Sequence, residues 1–172
     1  SRIWGNVVLT TEEGYVVFLY ERNVLDQVTE GPSQGLGIVQ HSIQVARRTD
    51  VWCSLSVRLD SGVEVLFVGA EHMYRMTSED HRSVQLWFRD PDRVGVFCLR
   101  ACESNGVVVV GCSAGAFLCS VNERFVYGRI ISGGLNSVWA VACYNQDMCI
   151  GWHGRGIGIV RDRSYNQGFC IG

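Results

Sequence analysis

Residues 50–57 read DVWCSLSV, and the same design returns at residues 95–102 as GVFCLRAC and at residues 137–144 as SVWAVACY. Each run carries an aromatic side chain at its third position: Trp52, Phe97 and Trp139. β-Branched and aromatic residues suit a pleated backbone, so the runs predict strands near residues 51–57, 96–102 and 138–143. Val51, Val96 and Val138 are 45 and 42 residues apart. A period of roughly 40–45 residues is the length of a unit of four short strands that repeats along a chain.

The segment downstream of each run repeats as well. VEVLFVGA from Val63, VVVVGCSA from Val107 and MCIGWHGR from Met148 bring Gly69, Gly111 and Gly151 into line, 42 and 40 residues apart. These predict a second strand in each unit. FLCSVNER from Phe117 and IGIVRDRS from Ile157 predict a third, and NVVLTTEEGYVVFLYERN from Asn6 fits the same second-and-third-strand hairpin. The Glu13-Gly14 pair suits its turn, because Gly tolerates the positive φ of tight hairpins. HSIQVARR from His41, RSVQLWFRD from Arg82 and FVYGRIIS from Phe125 predict outer strands. The expected fold is all-β, with about four blade-like units of four antiparallel strands in a single domain spanning residues 1–172. The first unit shows no inner strand, and its VTEGPSQGLG stretch from Val28 reads as a loop insertion.

SVWAVAC, beginning at Ser137, and SVQLWFRD, beginning at Ser83, resemble the WD-repeat family of β-propellers, the first being similar to that family's innermost blade strand. Nearly the whole chain is covered, although the Gly-His and Trp-Asp dipeptides of that family are missing. The resemblance implies a ring of usually about seven blades, so four would form part of a longer propeller, a small closed ring or half of an assembly completed by another chain; the missing inner strand favours the first. An open stack would then leave two apolar faces wet, around Val8 and Val16 at one end and Ile150 and Ile159 at the other.

Composition bounds the function. At 47% hydrophobic residues the chain can bury a sizeable core, and a net charge of −2 offers no global attraction to nucleic acid or anionic lipid. No apolar run approaches the roughly 18–20 residues that cross a bilayer, and no signal pattern opens the sequence, so an intracellular protein, cytoplasmic or nuclear, is expected. The eight cysteines sit in apolar runs without C-x-x-C spacing, which predicts reduced core residues, with neither a metal nor another cofactor. All 15 basic residues are Arg, where average usage would supply about ten Lys. Coding bias explains this most simply, and selection against lysine modification near a ubiquitin ligase is the sharper reading.

No catalytic constellation emerges, and the chain is not expected to be an enzyme. Ser113 in GCSAG superficially matches G-x-S-x-G, but that elbow needs a following helix where the repeat predicts a hairpin. GWHGRGIG from Gly151 lacks the Lys and helix start of a phosphate loop. Asp50, Asp90 and Asp92, at the junctions between units, suit backbone hydrogen bonding.

The resemblance implies a partner-binding face formed by outer-to-inner connections and second-to-third-strand hairpins. On this chain it would gather Arg47, Arg48, Arg89, Asp92, Arg93 and Asn136 from connections, and Glu12, His72, Ser113, His153 and Arg155 from hairpins. Trp52, Phe97 and Trp139 would lie near the channel mouth, either as binding groups or as wedges between blades. Aromatic and Arg side chains dominate interface energetics. The expected function is therefore a protein-interaction scaffold or adaptor, such as a subunit of a larger complex, with Trp52, Phe97, Trp139, Arg47, Arg48, Arg93, His153 and Arg155 as its contact residues. The alternative is binding of an anionic ligand, a phosphoinositide or nucleic acid, through the arginines.

Overall fold

A computed structural model describes residues 7–10, 13–21, 38–45, 49–102, 106–132, 137–144, 147–154, 156–160 and 169–171. Among these residues there is no helix, and the strands form four blade-like sheets. The first sheet is β1 (Val7–Thr10), β2 (Tyr15–Glu21) and β3 (Ile38–Gln44). The second contains β4 (Cys53–Arg58), β5 (Glu64–Gly69), β6 (Met73–Thr77) and β7 (Asp80–Phe88) in sequence order. β8 (Val96–Cys102), β9 (Val107–Cys112), β10 (Gly115–Ser120) and β11 (Val126–Ser132) make the third. The fourth is β12 (Val138–Tyr144), β13 (Asp147–Trp152) and β14 (Gly156–Val160). Neighbours within each run are antiparallel, giving an all-β, β-propeller-like architecture.

The expected four strands are complete in the second sheet. The first and fourth sheets each have three among the described residues. The third gains a fifth: β15 (Phe169–Ile171) runs parallel to β11, pairing Ile130 with Phe169 and Ser132 with Ile171. No repeat pattern foreshadows this strand, which comes after β14 in sequence yet pairs with the sheet before it.

Three apolar clusters lie between the sheets and hold them face to face. Val16 and Val45 meet Val51, Leu66, Val68 and Met76 between the first and second sheets. Val65, Phe67, Met73 and Phe88 meet Leu99, Val108 and Val110 between the second and third. Val107, Val109, Leu118 and Ile130 meet Val141, Met148 and Ile150 between the third and fourth. The two-residue strand period explains this sharing: Val107 and Val109 face one neighbour while Val108 and Val110 face the other. An unbroken valine run is therefore the signature of a strand buried on both faces.

Two expected exposures are corrected by that alternation. Val16 and Ile150 are fully buried, because each points toward the neighbouring sheet; Val8 lies outside the described side chains. The wet face at the fourth sheet is instead marked by Ile157, 77% exposed, and Ile159, 53% exposed.

A cysteine-glycine interlock repeats between sheets. Cys53 pairs across the ladder with Gly69, and Cys98 with Gly111. The Cys53 thiol donates to the Val96 carbonyl of the next inner strand at 3.6 Å, and Cys98 donates to the Val138 carbonyl at 3.9 Å. Glycine is required opposite each thiol. A Cβ on Gly69 would sit 2.7 Å from the Val96 carbonyl oxygen, and one on Gly111 would sit 2.8 Å from Val138 Cγ1. Burial pushes the thiols of Cys53, Cys98, Cys112 and Cys119 up to about 12. None of the seven cysteines whose side chains are described is in a disulfide.

Candidate interaction face

The starts of the inner strands, the β7–β8 connection and the hairpins after β5, β9 and β13 define the candidate face. Its central feature is a row of rings. Trp52 meets Phe97 edge-on with centroids 5.4 Å apart, and Phe97 stacks on Trp139 at 4.8 Å and 16°. Trp139 continues to His153 at 5.5 Å and 32°. Trp52 immediately precedes β4, Phe97 and Trp139 are the second residues of β8 and β12, and the β13–β14 hairpin supplies His153. The His153 amide donates to the Ser137 carbonyl at 2.9 Å, fixing that hairpin beside the start of β12.

The row joins three sheets and also remains accessible. Trp52 is 46% exposed and Trp139 51%, while Phe97 between them is half-buried. Gly95 makes room below: a Cβ there would approach Phe97 Cε1 to 2.9 Å and Trp52 Nε1 to 3.2 Å. The two roles expected of these aromatics, wedging and presentation, therefore coexist geometrically. Edge and offset contacts suit the ring quadrupole and fix the orientation of the side chains.

A buried polar node supports the face. Asp90 Oδ2 accepts from the Ser113 hydroxyl at 2.6 Å, the Val94 amide at 2.8 Å and the Gly95 amide at 2.9 Å. Its Oδ1 accepts from the Asp92 amide at 3.3 Å. The Asp90 amide in turn donates to His72 Nδ1 at 3.0 Å, and His72 Nε2 lies 3.1 Å from Glu71 Oε1. Burial alone would raise the Asp90 carboxyl, but the hydrogen bonds from Ser113, Gly95, Val94 and Asp92 outweigh it and hold the group below its ordinary range. Asp90 thereby ties the second-sheet hairpin to the third and shapes the turn leading into Phe97.

This node corrects part of the expected face. His72 and Ser113 are buried, with His72 Nδ1 and the Ser113 hydroxyl committed to Asp90 and His72 Nε2 beside Glu71, and are not presented to solvent. The Ser113 hydroxyl donates to Asp90, and His72 Nδ1 is occupied by the Asp90 amide. GCSAG forms the β9–β10 hairpin, with Gly115 at φ 121°. Arg93 is exposed, in the same turn as Asp92, at φ 54°, a left-handed conformation uncommon outside Gly and Asn. Its amide donates to the Asp90 carbonyl at 3.1 Å. Arg89 and Asp92 are exposed too. Arg47, Arg48, Arg155, Glu12 and Asn136 lie outside the described residues.

Four further arginines, unassigned by the repeat, act between and within sheets. Arg75 Nε donates to the Val121 carbonyl at 3.1 Å, Arg100 Nε to Val141 at 3.2 Å and Arg124 Nε to Leu86 at 2.7 Å. Arg129 donates to the Ala114 carbonyl, and Arg75 lies over the Trp87 ring, 4.4 Å from its centroid. At the end of the inner strands away from the aromatic row, a cleft of about 600 Å³ is lined by Val57, Leu59, Ala101, Cys102, Gly106 and Asn122, among others. No helix among the described residues is long and apolar enough to cross a membrane. No protein-family model matches the chain, and no curated protein is similar to it.

Proposed function

We propose that this chain is a non-catalytic interaction scaffold of the WD-repeat type, using the Trp52–Phe97–Trp139–His153 row to dock a protein partner. The observation that carries the reading is that two tryptophans in the row stay about half-exposed while packing fixes their orientation. Large aromatics held in place lose little conformational entropy on docking and bury much apolar area, which makes them strong interface anchors. Arg93, in the turn beside this row, adds a charged contact. The exposed isoleucines of β14 support a larger propeller, with more structure covering the fourth sheet. The seven cysteines whose side chains are described, all outside disulfides, favour an intracellular setting.

The anionic-ligand alternative receives less support. Arg75, Arg100, Arg124 and Arg129 direct donors at backbone carbonyls, leaving fewer described cations to collect phosphate. The test is cross-linking and mass spectrometry with the purified chain and with Trp52→Ala and Trp139→Ala variants whose fold is verified by circular dichroism. The proposal predicts a defined protein contact mapped to this face and weakened at least tenfold by either substitution. A partner whose cross-links map elsewhere and whose affinity is unchanged would overturn it. Phosphoinositide vesicles and single-stranded oligonucleotides form the other arm: tight binding that collapses as salt rises, and that survives both substitutions, would establish the alternative.

A further inference from the structure

The sulfur atoms of Cys102 and Cys143 lie 3.7 Å apart, although the residues are far apart in sequence and belong to different sheets. Cys102 ends β8 and Cys143 is the penultimate residue of β12. These neighbouring inner strands are pinned close by, where Arg100 Nε donates to the Val141 carbonyl. Closing to a disulfide, with its S–S length of about 2.0 Å, therefore asks for side-chain adjustment between strands already held together.

The pair can be approached from solvent at one end of the inner strands. Cys102 is buried but lines the 600 Å³ cleft, and Cys143 is half-buried.

We propose that Cys102 and Cys143 form an oxidisable dithiol, a site at which a hydroperoxide covalently joins the third and fourth sheets. The thiolate of the more exposed Cys143 attacks the terminal peroxide oxygen. An S–O bond forms, the O–O bond breaks, and the departing hydroxide takes up the thiol proton as water. The Cys102 thiolate then attacks the Cys143 sulfenic acid: the S–S bond forms, the S–O bond breaks and a second water leaves. Two thiols lose two electrons, and hydrogen peroxide is reduced to two waters. Phe97 and Trp139 stand at the other end of these same two strands, so the cross-link fixes the spacing of the strands that bear the stacked rings.

The experiment treats the folded chain with hydrogen peroxide, blocks remaining thiols with N-ethylmaleimide and maps the peptides. The expected dominant disulfide joins Cys102 to Cys143 and is reversed by dithiothreitol. Cys143→Ser leaves Cys102 open to alkylation, whereas Cys102→Ser stops Cys143 at the sulfenic acid, which dimedone captures. The oxidised wild-type chain also melts at a higher temperature than the same sample after reduction. Full alkylation of both cysteines after oxidation, or dominant pairing of either with another cysteine, overturns the proposal. Because the mapping is done on the wild-type chain, failure of a variant to fold leaves the test intact.

Discussion

Replacing Gly69 by Ala tests the interlock between sheets most directly. The new Cβ would lie 2.7 Å from the Val96 carbonyl oxygen and 2.9 Å from Val96 Cγ1, and would displace the Cys53 thiol. A backbone oxygen cannot rotate away, so β8 must retreat or the β4–β5 ladder must distort. Overpacking of this kind costs about 1–3 kcal/mol, and disruption of the weak thiol–carbonyl bond adds up to roughly 1 kcal/mol. Reduced freedom of the unfolded chain offsets about 0.5 kcal/mol. The expected net loss is about 0.5–3.5 kcal/mol, or roughly 1–14 °C in melting temperature for a chain of this size. Gly111→Ala should behave similarly, since its Cβ would meet Val138 Cγ1 at 2.8 Å and the Val138 carbonyl at 3.2 Å. Gly151→Ala is the internal control: its Cβ meets only Ala140 Cβ at 3.5 Å and the Ala140 carbonyl at 3.8 Å. Urea denaturation of the three variants provides the assay. Equal midpoints for Gly69→Ala and Gly151→Ala would refute the reasoning.

Asp90→Ala should cost about 3 kcal/mol or more, because it strands the Ser113 hydroxyl and three amides without their acceptor, as thermal melting will show. Since the folded carboxyl is held below its ordinary range, its contribution is full above the unfolded pKa and is lost as pH falls through the folded one. The stability gap between wild type and Asp90→Asn should accordingly narrow below about pH 4, and a gap that stays constant down to pH 2 would contradict this. The four thiols pushed from 9.0 up to about 12 work in the opposite pH direction: their contribution is present below about 9 and declines as pH rises toward 12. Urea midpoints should fall between pH 8 and pH 11, and the fall should shrink in Cys112→Ala. Ile157→Ser with Ile159→Ser should reduce self-association in sedimentation while changing the melting temperature by less than about 3 °C, because both side chains are largely in water.

The inner strands were legible because Val51, Val96 and Val138 recur with an aromatic residue and a downstream glycine in step. The bounds expected for the second and third inner strands differ from the observed ones by at most one residue, and β4 starts two residues later than expected. β6, with the sequence MYRMT, had no comparable signal. Arg75 interrupts its apolar pattern and is accommodated only because Trp87 and the Val121 carbonyl, from elsewhere in the chain, receive the guanidinium. β15 could not be anticipated either, since its partner strand β11 lies well upstream, with β12, β13 and β14 between them, and the pairing is parallel. For the face, Trp52, Phe97, Trp139 and His153 were legible as equivalent or neighbouring positions, and the structure joins them. His72 and Ser113 looked exposed because hairpin residues usually are. Their common partner Asp90 is 18 and 23 residues away, and proximity of that kind leaves no local pattern.

The thiol–carbonyl interlock has a direction. Sheet two supplies the Cys53–Gly69 socket and sheet three the inserted Val96 carbonyl; sheet three then offers the Cys98–Gly111 socket to Val138. In the fourth sheet the glycine persists as Gly151, but Ala140 stands where the thiol would be. The stack is thus vectorial, and its units are not interchangeable tiles. A duplicate of the third unit spliced in directly after the original would meet a matching donor on one side and present one on the other. The same duplicate spliced after the fourth unit would find a socket without its sulfur, so tandem duplication is chemically easier after the third unit than after the fourth.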